Sequence, residues 1–141
     1  MTRPQRLLGV TFVAFGTLHL LRPGAYEKIM PDYMPAQREL VLVSGAAEII
    51  GGGGVLFERT RTAAGWWLIA TLLAVFPANV HMALHPSRYP AFAPALLWAR
   101  LPLQALLIWW ARRTTRPSTS HPFLPNLKGP RGNLHGGLSR G

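Results

Sequence analysis

One carboxylate stands inside an otherwise apolar run, and it is the residue of this sequence most suited to chemistry. Glu48 lies within residues 40–57, and four glycines, Gly51 to Gly54, follow it almost at once. A charge near the middle of a bilayer costs at least about 2.5–3.5 kcal/mol, so such a residue is normally paired and faces the interior of a helix bundle. Glu48 therefore indicates a buried ion pair, a proton relay or a polar ligand contact.

Further polar side chains recur at helical spacing in the other apolar segments. Arg100 and Gln104 are four residues apart and share one helix face, as do Ser44 and Glu48. The predicted polar cluster, which forms a ligand site or locks the bundle, consists of His19, Ser44, Glu48, Asn79, Arg100 and Gln104. We expect Arg100 to pair with Glu48, with His19 as the second choice, while Asn79, Gln104 and Ser44 satisfy the remaining hydrogen bonds. No catalytic residue is assigned.

Four apolar segments must position this cluster: residues 5–22, 40–57, 63–84 and 95–111. A membrane-spanning helix needs about 20 mainly apolar residues, which predicts an all-α, integral membrane four-helix bundle over residues 1–112. The first segment could instead be a signal peptide, although no good small-x-small cleavage site follows it. A soluble helical bundle is the alternative for the whole chain, but a soluble helix needs a polar face, and residues 66–76 have almost none.

The basic residues that flank the segments predict the orientation of the bundle. Arg3, Arg6, Arg59, Arg61 and Arg112 lie on the side of both termini, which is nearly free of acidic residues. The positive-inside rule then places both termini in the cytoplasm, with the bundle in a bacterial inner (plasma) membrane. At about 1.5 Å of rise per residue, every member of the polar cluster falls in the outer half of the bilayer.

Glycines and prolines beside the cluster indicate local departures from regular packing. Gly51 to Gly54 permit close approach of neighbouring backbones, form a small cavity beside Glu48, or break the helix. Pro77 frees the carbonyl of Leu73, four residues earlier, and kinks its helix. Pro102 lies nearer a helix start, where the disturbance is milder. We expect neighbouring polar groups to satisfy the freed backbone.

Composition excludes several classes of function. The 141 residues contain no cysteine, which excludes disulfides, thiolate metal sites and catalytic thiols. The net charge is +10, but the basic residues sit at segment ends and in residues 113–141, which argues against nucleic-acid binding. That Pro/Gly-rich segment is predicted to be a disordered basic tail, either solvated or touching anionic lipid. His19, His81 and His85 are scattered, and no metal site is predicted.

Three stretches resemble the DoxX-like family of small four-helix membrane proteins: residues 40–48, 75–79 and 100–104. The first connecting segment, residues 26–35, is also similar to that family's loop. The resemblance implies a membrane subunit or adaptor of a quinone-linked redox complex. Its partners would be the bilayer and other redox subunits, and whether it binds a quinone is left open. It supplies no catalytic residues and leaves enzymatic activity uncertain. The alternatives are a non-catalytic assembly or binding protein and a small transporter.

Overall fold

Each of the four apolar segments folds as one long α-helix in the computed structural model, which describes residues 1–117. The long helices are α1 (Arg3–Leu21), α3 (Gln37–Leu56), α4 (Arg61–Leu84) and α5 (Pro94–Thr115). Two short elements were not predicted: α2 (Pro23–Glu27) and a 3-10 turn (Pro86–Arg88). Residues 1–117 contain no strand, which confirms the all-α class.

The last helix continues beyond its predicted end at residue 111, and this corrects the start of the predicted tail. Thr115 is buried, packs against Gly65 of α4 and donates a hydrogen bond of 2.7 Å to the carbonyl of Ala111. Burial of Ala111 and Thr115 on α4 therefore extends the helix through Arg112 and Arg113. The remainder of the predicted tail, residues 118–141, lies outside the described residues.

Side chains and prolines define the helix ends. Pro94 opens α5, where the missing N–H of proline removes no helical hydrogen bond. At the end of α3, the Thr60 hydroxyl donates to the carbonyl of Gly54 at 2.7 Å. Gln5 accepts a hydrogen bond from the backbone N–H of Thr2 and donates one of 3.1 Å to the carbonyl of Thr114, which ties the start of α1 to the end of α5.

The long helices pack in the order α1, α3, α4 and α5, each against the next. Contacts between α1 and α5 are sparse, and the Gln5–Thr114 hydrogen bond joins these two helices beside the amino terminus. We call the other end of the assembly, which carries the connections 22–36 and 85–93, the loop end. The ring of helices is thus closed on three sides and open between α1 and α5 toward the loop end.

Two pairs of glycines allow α1 and α3 to touch backbone to backbone. A side chain at Gly52 would meet the carbonyl oxygen of Gly9 at 2.7 Å, and one at Gly45 would meet that of Gly16 at 2.9 Å. The two glycines of α1 lie seven residues apart, as do the two glycines of α3, so the two contacts between these antiparallel helices share one register. Only glycine accommodates such an approach without displacing a helix.

The glycine run after Glu48 packs against both neighbours of α3. Gly52 faces α1, whereas Gly51 faces Leu68 of α4 and Gly54 faces Ala64. The indole N–H of Trp67 donates to the carbonyl of Ala47 at 2.9 Å, which fixes α4 beside this run. The structure confirms the expected close packing at these three glycines, while a side chain at Gly53 would meet no other part of the described structure within 4 Å.

Buried apolar side chains form two separate clusters. The larger one lies away from the loop end and includes Leu8, Phe12, Val55 and Leu68. The smaller one, at the loop end, contains Met82, Tyr89 and Leu97. The polar cluster lies between these apolar layers. Of the described helices, α3 and α4 are long and apolar enough to cross a membrane by length and composition.

Candidate functional site

A cavity of about 300 Å³ opens between the four long helices near the loop end, and we call it the inner cavity. Its apolar lining comes mainly from α4 and α5, with Leu72, Val75, Leu103 and Leu107. Its polar lining contains every member of the predicted cluster: His19, Ser44, Glu48, Asn79, Arg100 and Gln104. The structure therefore brings together six side chains from four helices around one space.

Glu48 lies beside His19 at the contact between α1 and α3. His19 Nδ1 donates to the carbonyl of Phe15 at 2.8 Å and lies 3.5 Å from Glu48 Oε2. Both side chains are largely buried, with exposed fractions of 17% for His19 and 12% for Glu48. Glu48 Oε2 itself has no hydrogen-bond partner within residues 1–117. The Glu48 side chain also lines the inner cavity.

The predicted Glu48–Arg100 ion pair was wrong. The partner of Glu48 is His19, because the Gly16–Gly45 contact draws α1 close to α3 and leaves His19 Cβ next to Gly45. Arg100 comes from α5, across the cavity, and its guanidinium instead approaches the sulfur of Met82 at 4.0 Å. No carboxylate of the described residues lies within ion-pair distance of Arg100.

Asn79 and Gln104 form a hydrogen-bonded relay between α4 and α5. Asn79 Nδ2 donates to Gln104 Oε1 at 2.7 Å, and Gln104 Nε2 donates to the carbonyl of Leu72. Gln104 is only 3% exposed, so each of its hydrogen bonds matters. The prediction that these amides satisfy Glu48 was wrong, because they satisfy each other and a backbone carbonyl.

Pro77 lies in the same helix as this carbonyl, one turn further along. Proline within α4 disturbs the hydrogen bonding of the preceding turn, and Leu72 lies five residues before Pro77. We predicted that the carbonyl of Leu73 would be freed and that polar neighbours would compensate. Gln104 donates to the carbonyl of Leu72 instead, so the compensation predicted at Leu73 is not observed among the described residues. Ser44, by contrast, donates within its own helix, to Val41 at 2.9 Å.

The connection between α1 and α3 covers the loop end of the cavity, a role that was not predicted for its side chains. The Tyr26 ring stacks on the His19 ring with centroids 3.9 Å apart, and Ile29 and Met30 also line the cavity. Tyr26 lies at the start of the stretch that resembled a family loop, and it is the one aromatic residue in α2. Its place as the first residue of that stretch is the sequence feature that could have identified Tyr26 as part of the site.

The connection between α4 and α5, residues 85–93, also packs at the loop end. Tyr89 is 5% exposed beside Met82 and Leu97, and burial raises the pKa of its phenol. On a separate face of α4, His81 stacks on His85 and meets Tyr33 edge-on. Residues 1–117 contain no group of three or more His, Asp or Glu side chains that could hold a metal ion.

The inner cavity combines few polar groups with a large apolar wall, which is typical of small-molecule sites. Its volume lies near the lower end of the usual range of roughly 300–1,000 Å³. The Glu48 carboxyl can accept or exchange a proton, and the Arg100 guanidinium can donate hydrogen bonds to an oxygen acceptor. Such a lining suits an apolar molecule that carries one or two oxygen atoms at one end.

Comparisons with known proteins give a family and no activity. No curated protein and no solved structure matches the chain. A domain of unknown function, DUF8561, matches residues 8–115, which include all four long helices almost completely and all six polar residues of the cavity. The chain therefore belongs to the DUF8561 family.

Proposed function

We propose that this protein is a four-helix integral membrane protein whose inner cavity binds a lipid-soluble molecule with an oxygen-bearing head, such as a quinone. In this account it serves as a membrane subunit or adaptor of a quinone-linked redox complex in a bacterial inner membrane. The observation that carries the proposal is the convergence of six polar side chains from four helices on one cavity with apolar walls.

The distribution of apolar side chains supports membrane insertion. Large apolar residues that are more than half exposed occur on all four long helices, among them Val10, Val43, Leu73 and Leu106. Water penalises such an exposed apolar surface by roughly 25 cal/mol per Å², whereas lipid does not. Trp66 and Trp109 are both more than half exposed. They lie toward the end of the bundle opposite the loop end, as expected of aromatic residues at a membrane interface. The basic residues near that end favour a cytoplasmic location for both termini.

Glu48 supports a ligand with a hydrogen-bond donor or a proton to exchange. Its Oε2 atom is buried and lacks a hydrogen-bond partner in the described part of the chain, and the Glu48 side chain is part of the cavity lining. Leaving such a buried acceptor unsatisfied costs roughly 1–3 kcal/mol, which a bound hydroxyl group would recover. A quinol presents hydroxyl groups, and a quinone presents carbonyl groups that Arg100 could contact. Reduction of a quinone to a quinol takes two electrons, which the redox partner subunits would supply, and two protons, which Glu48 would transfer one at a time.

Solvent extraction tests this proposal. The full chain is purified in mild detergent, extracted with organic solvent and assayed for quinone by mass spectrometry, in parallel with Glu48→Gln. We expect near-stoichiometric quinone with the wild type and a clear loss with a variant that retains its helical circular dichroism. Absence of quinone from the wild type would remove the redox role.

A non-catalytic assembly protein is the second candidate, and the Asn79–Gln104 relay favours it. A side-chain hydrogen bond of 2.7 Å across α4 and α5 fixes the register of these helices without any ligand. The exposed apolar surface then serves to bind other membrane subunits. In this case Glu48 and His19 only lock α1 against α3, and purified protein carries no quinone.

A further inference from the structure

Two arginines, Arg22 and Arg100, lie near the loop end without a carboxylate partner in the described part of the chain. Arg100 lines the inner cavity, but Arg22 does not. Among residues 1–117, Arg38 pairs with Glu27 and Arg88 pairs with Asp32, whereas neither Arg22 nor Arg100 meets a carboxylate. Arg22 directly follows the last residue of α1 and is exposed, and Arg100 is half-buried on α5. Two unpaired guanidinium groups on facing helices attract an anion.

Both arginines line a second space, the outer pocket, which has a volume of about 310 Å³. It lies at the loop end between α1 and α5, where these helices make few contacts with each other. The rest of its lining is mostly apolar and includes Leu18 and Phe92. Arg100 and Tyr26 border both spaces, so the outer pocket adjoins the inner cavity.

We propose that the outer pocket binds the anionic headgroup of an amphiphile, a phosphate or carboxylate carried on an apolar chain. Arg22 and Arg100 hold the head, and the chain extends along Leu18 and Phe92 through the gap between α1 and α5. Planar guanidinium groups favour such anions because they donate two parallel hydrogen bonds. This proposal rests on membrane insertion, which is part of the proposed function, and it does not depend on quinone.

The gap between α1 and α5 gives the chain of such a ligand a way to remain in lipid. At the opposite end the Gln5 side chain bridges the two helices by donating a hydrogen bond of 3.1 Å to the carbonyl of Thr114, whereas the outer pocket opens toward the loop end. Leu18 is 44% exposed on the α1 side of this opening. An amphiphile can therefore place its head in the outer pocket while its chain stays outside the ring of helices.

Native mass spectrometry of the full chain in neutral detergent tests the proposal. Phosphatidylglycerol, phosphatidylcholine, oleate and inorganic phosphate are added in separate samples, and the bound species are identified by mass. We expect phosphatidylglycerol or oleate to be retained and phosphatidylcholine to be lost. Arg22→Gln and Arg100→Gln should each weaken retention roughly tenfold, because each removes charge-assisted hydrogen bonds.

Arg38→Gln is the matched control, because Arg38 lies at the same end, is 62% exposed at its side chain and is already paired with Glu27. It removes the same net charge and should leave retention unchanged. Arg22 is exposed, so its variant keeps the test valid even if Arg100→Gln fails to fold. Equal retention by Arg22→Gln, Arg38→Gln and the wild type would overturn the proposal. Binding of inorganic phosphate without any retained amphiphile would assign the pocket to a free anion and would also overturn it.

Discussion

His19 Nδ1 lies 3.5 Å from Glu48 Oε2, and this relationship depends on the close contact of the helices that carry the two residues. Gly16 and Gly45 remove the side chains that would hold α1 and α3 apart, and His19 Cβ then lies against Gly45. The pair forms one wall of the inner cavity. Its acidic member keeps one buried oxygen free of hydrogen bonds from residues 1–117.

The first prediction concerns the partner of Glu48. In a double-mutant cycle with Glu48→Gln and His19→Gln, we expect a coupling energy of about 0.5–3 kcal/mol in thermal unfolding, because the two side chains are in contact. The cycle of Glu48→Gln with Arg100→Gln should give the smaller coupling, since Arg100 lies across the cavity. A larger coupling to Arg100 would show that the ion pair predicted from sequence forms after all.

The second prediction concerns the glycine contact. Gly16→Ala should lower the free energy of unfolding by about 1–3 kcal/mol, because its Cβ would overlap the carbonyl of Gly45 and meet Ile49 Cγ1 at 2.8 Å. Gly53→Ala is the matched control in the same helix pair, and a Cβ there meets nothing within 4 Å of the described structure. It should be neutral or stabilising by up to about 1 kcal/mol. Similar melting temperatures for the two variants would contradict this packing.

The third prediction concerns the relay between α4 and α5. Gln104→Leu should destabilise the protein by about 1–3 kcal/mol, because it leaves the carbonyl of Leu72 and the amide of Asn79 without their partner. Ser44→Ala removes a polar group that donates only within its own helix, so it should have a much smaller effect. Thermal unfolding followed by circular dichroism measures both. Equal shifts would show that Gln104 does not join the two helices.

The fourth prediction concerns orientation in the membrane. The absence of cysteine allows single-cysteine variants to be labelled without background. In intact cells, Lys28→Cys in the first connection should react with a membrane-impermeant maleimide, whereas Arg59→Cys between α3 and α4 should react only after the cells are opened. Labelling of Arg59→Cys in intact cells would reverse the proposed orientation. If the two variants were labelled equally in intact cells, and equally again in opened cells, the result would argue against membrane insertion.

Helical spacing and depth identified the polar cluster, because residues at similar heights on adjacent antiparallel helices are bound to meet. The same reasoning could not choose between His19 and Arg100 as the partner of Glu48. That choice depends on which helices are neighbours and how closely they approach, and Gly16 and Gly45 decide it. The seven-residue spacing of the glycines is visible in the sequence of each helix. Which glycine of α1 contacts which glycine of α3 is known only from the structure.

The connections were the least predictable part. Tyr26 reaches His19 only because α2 folds the chain back over the cavity, and five residues give a weak sequence signal for such a helix. The end of α5 was also placed too early, because Arg112 and Arg113 resemble a helix stop beside a membrane. Burial of Thr115 on Gly65 outweighs that signal.

Photolabelling with an azidoquinone tests the central claim most directly, namely that the inner cavity binds a quinone-like molecule. The full chain in lipid nanodiscs is irradiated with the probe, digested and mapped by mass spectrometry, with and without excess unlabelled quinone. The account predicts competed labelling on residues of the cavity lining, such as Val75, Ala78 and Leu103, and its loss in Glu48→Gln. Labelling confined to the exposed faces of the helices, unaffected by competitor or by Glu48→Gln, would contradict it.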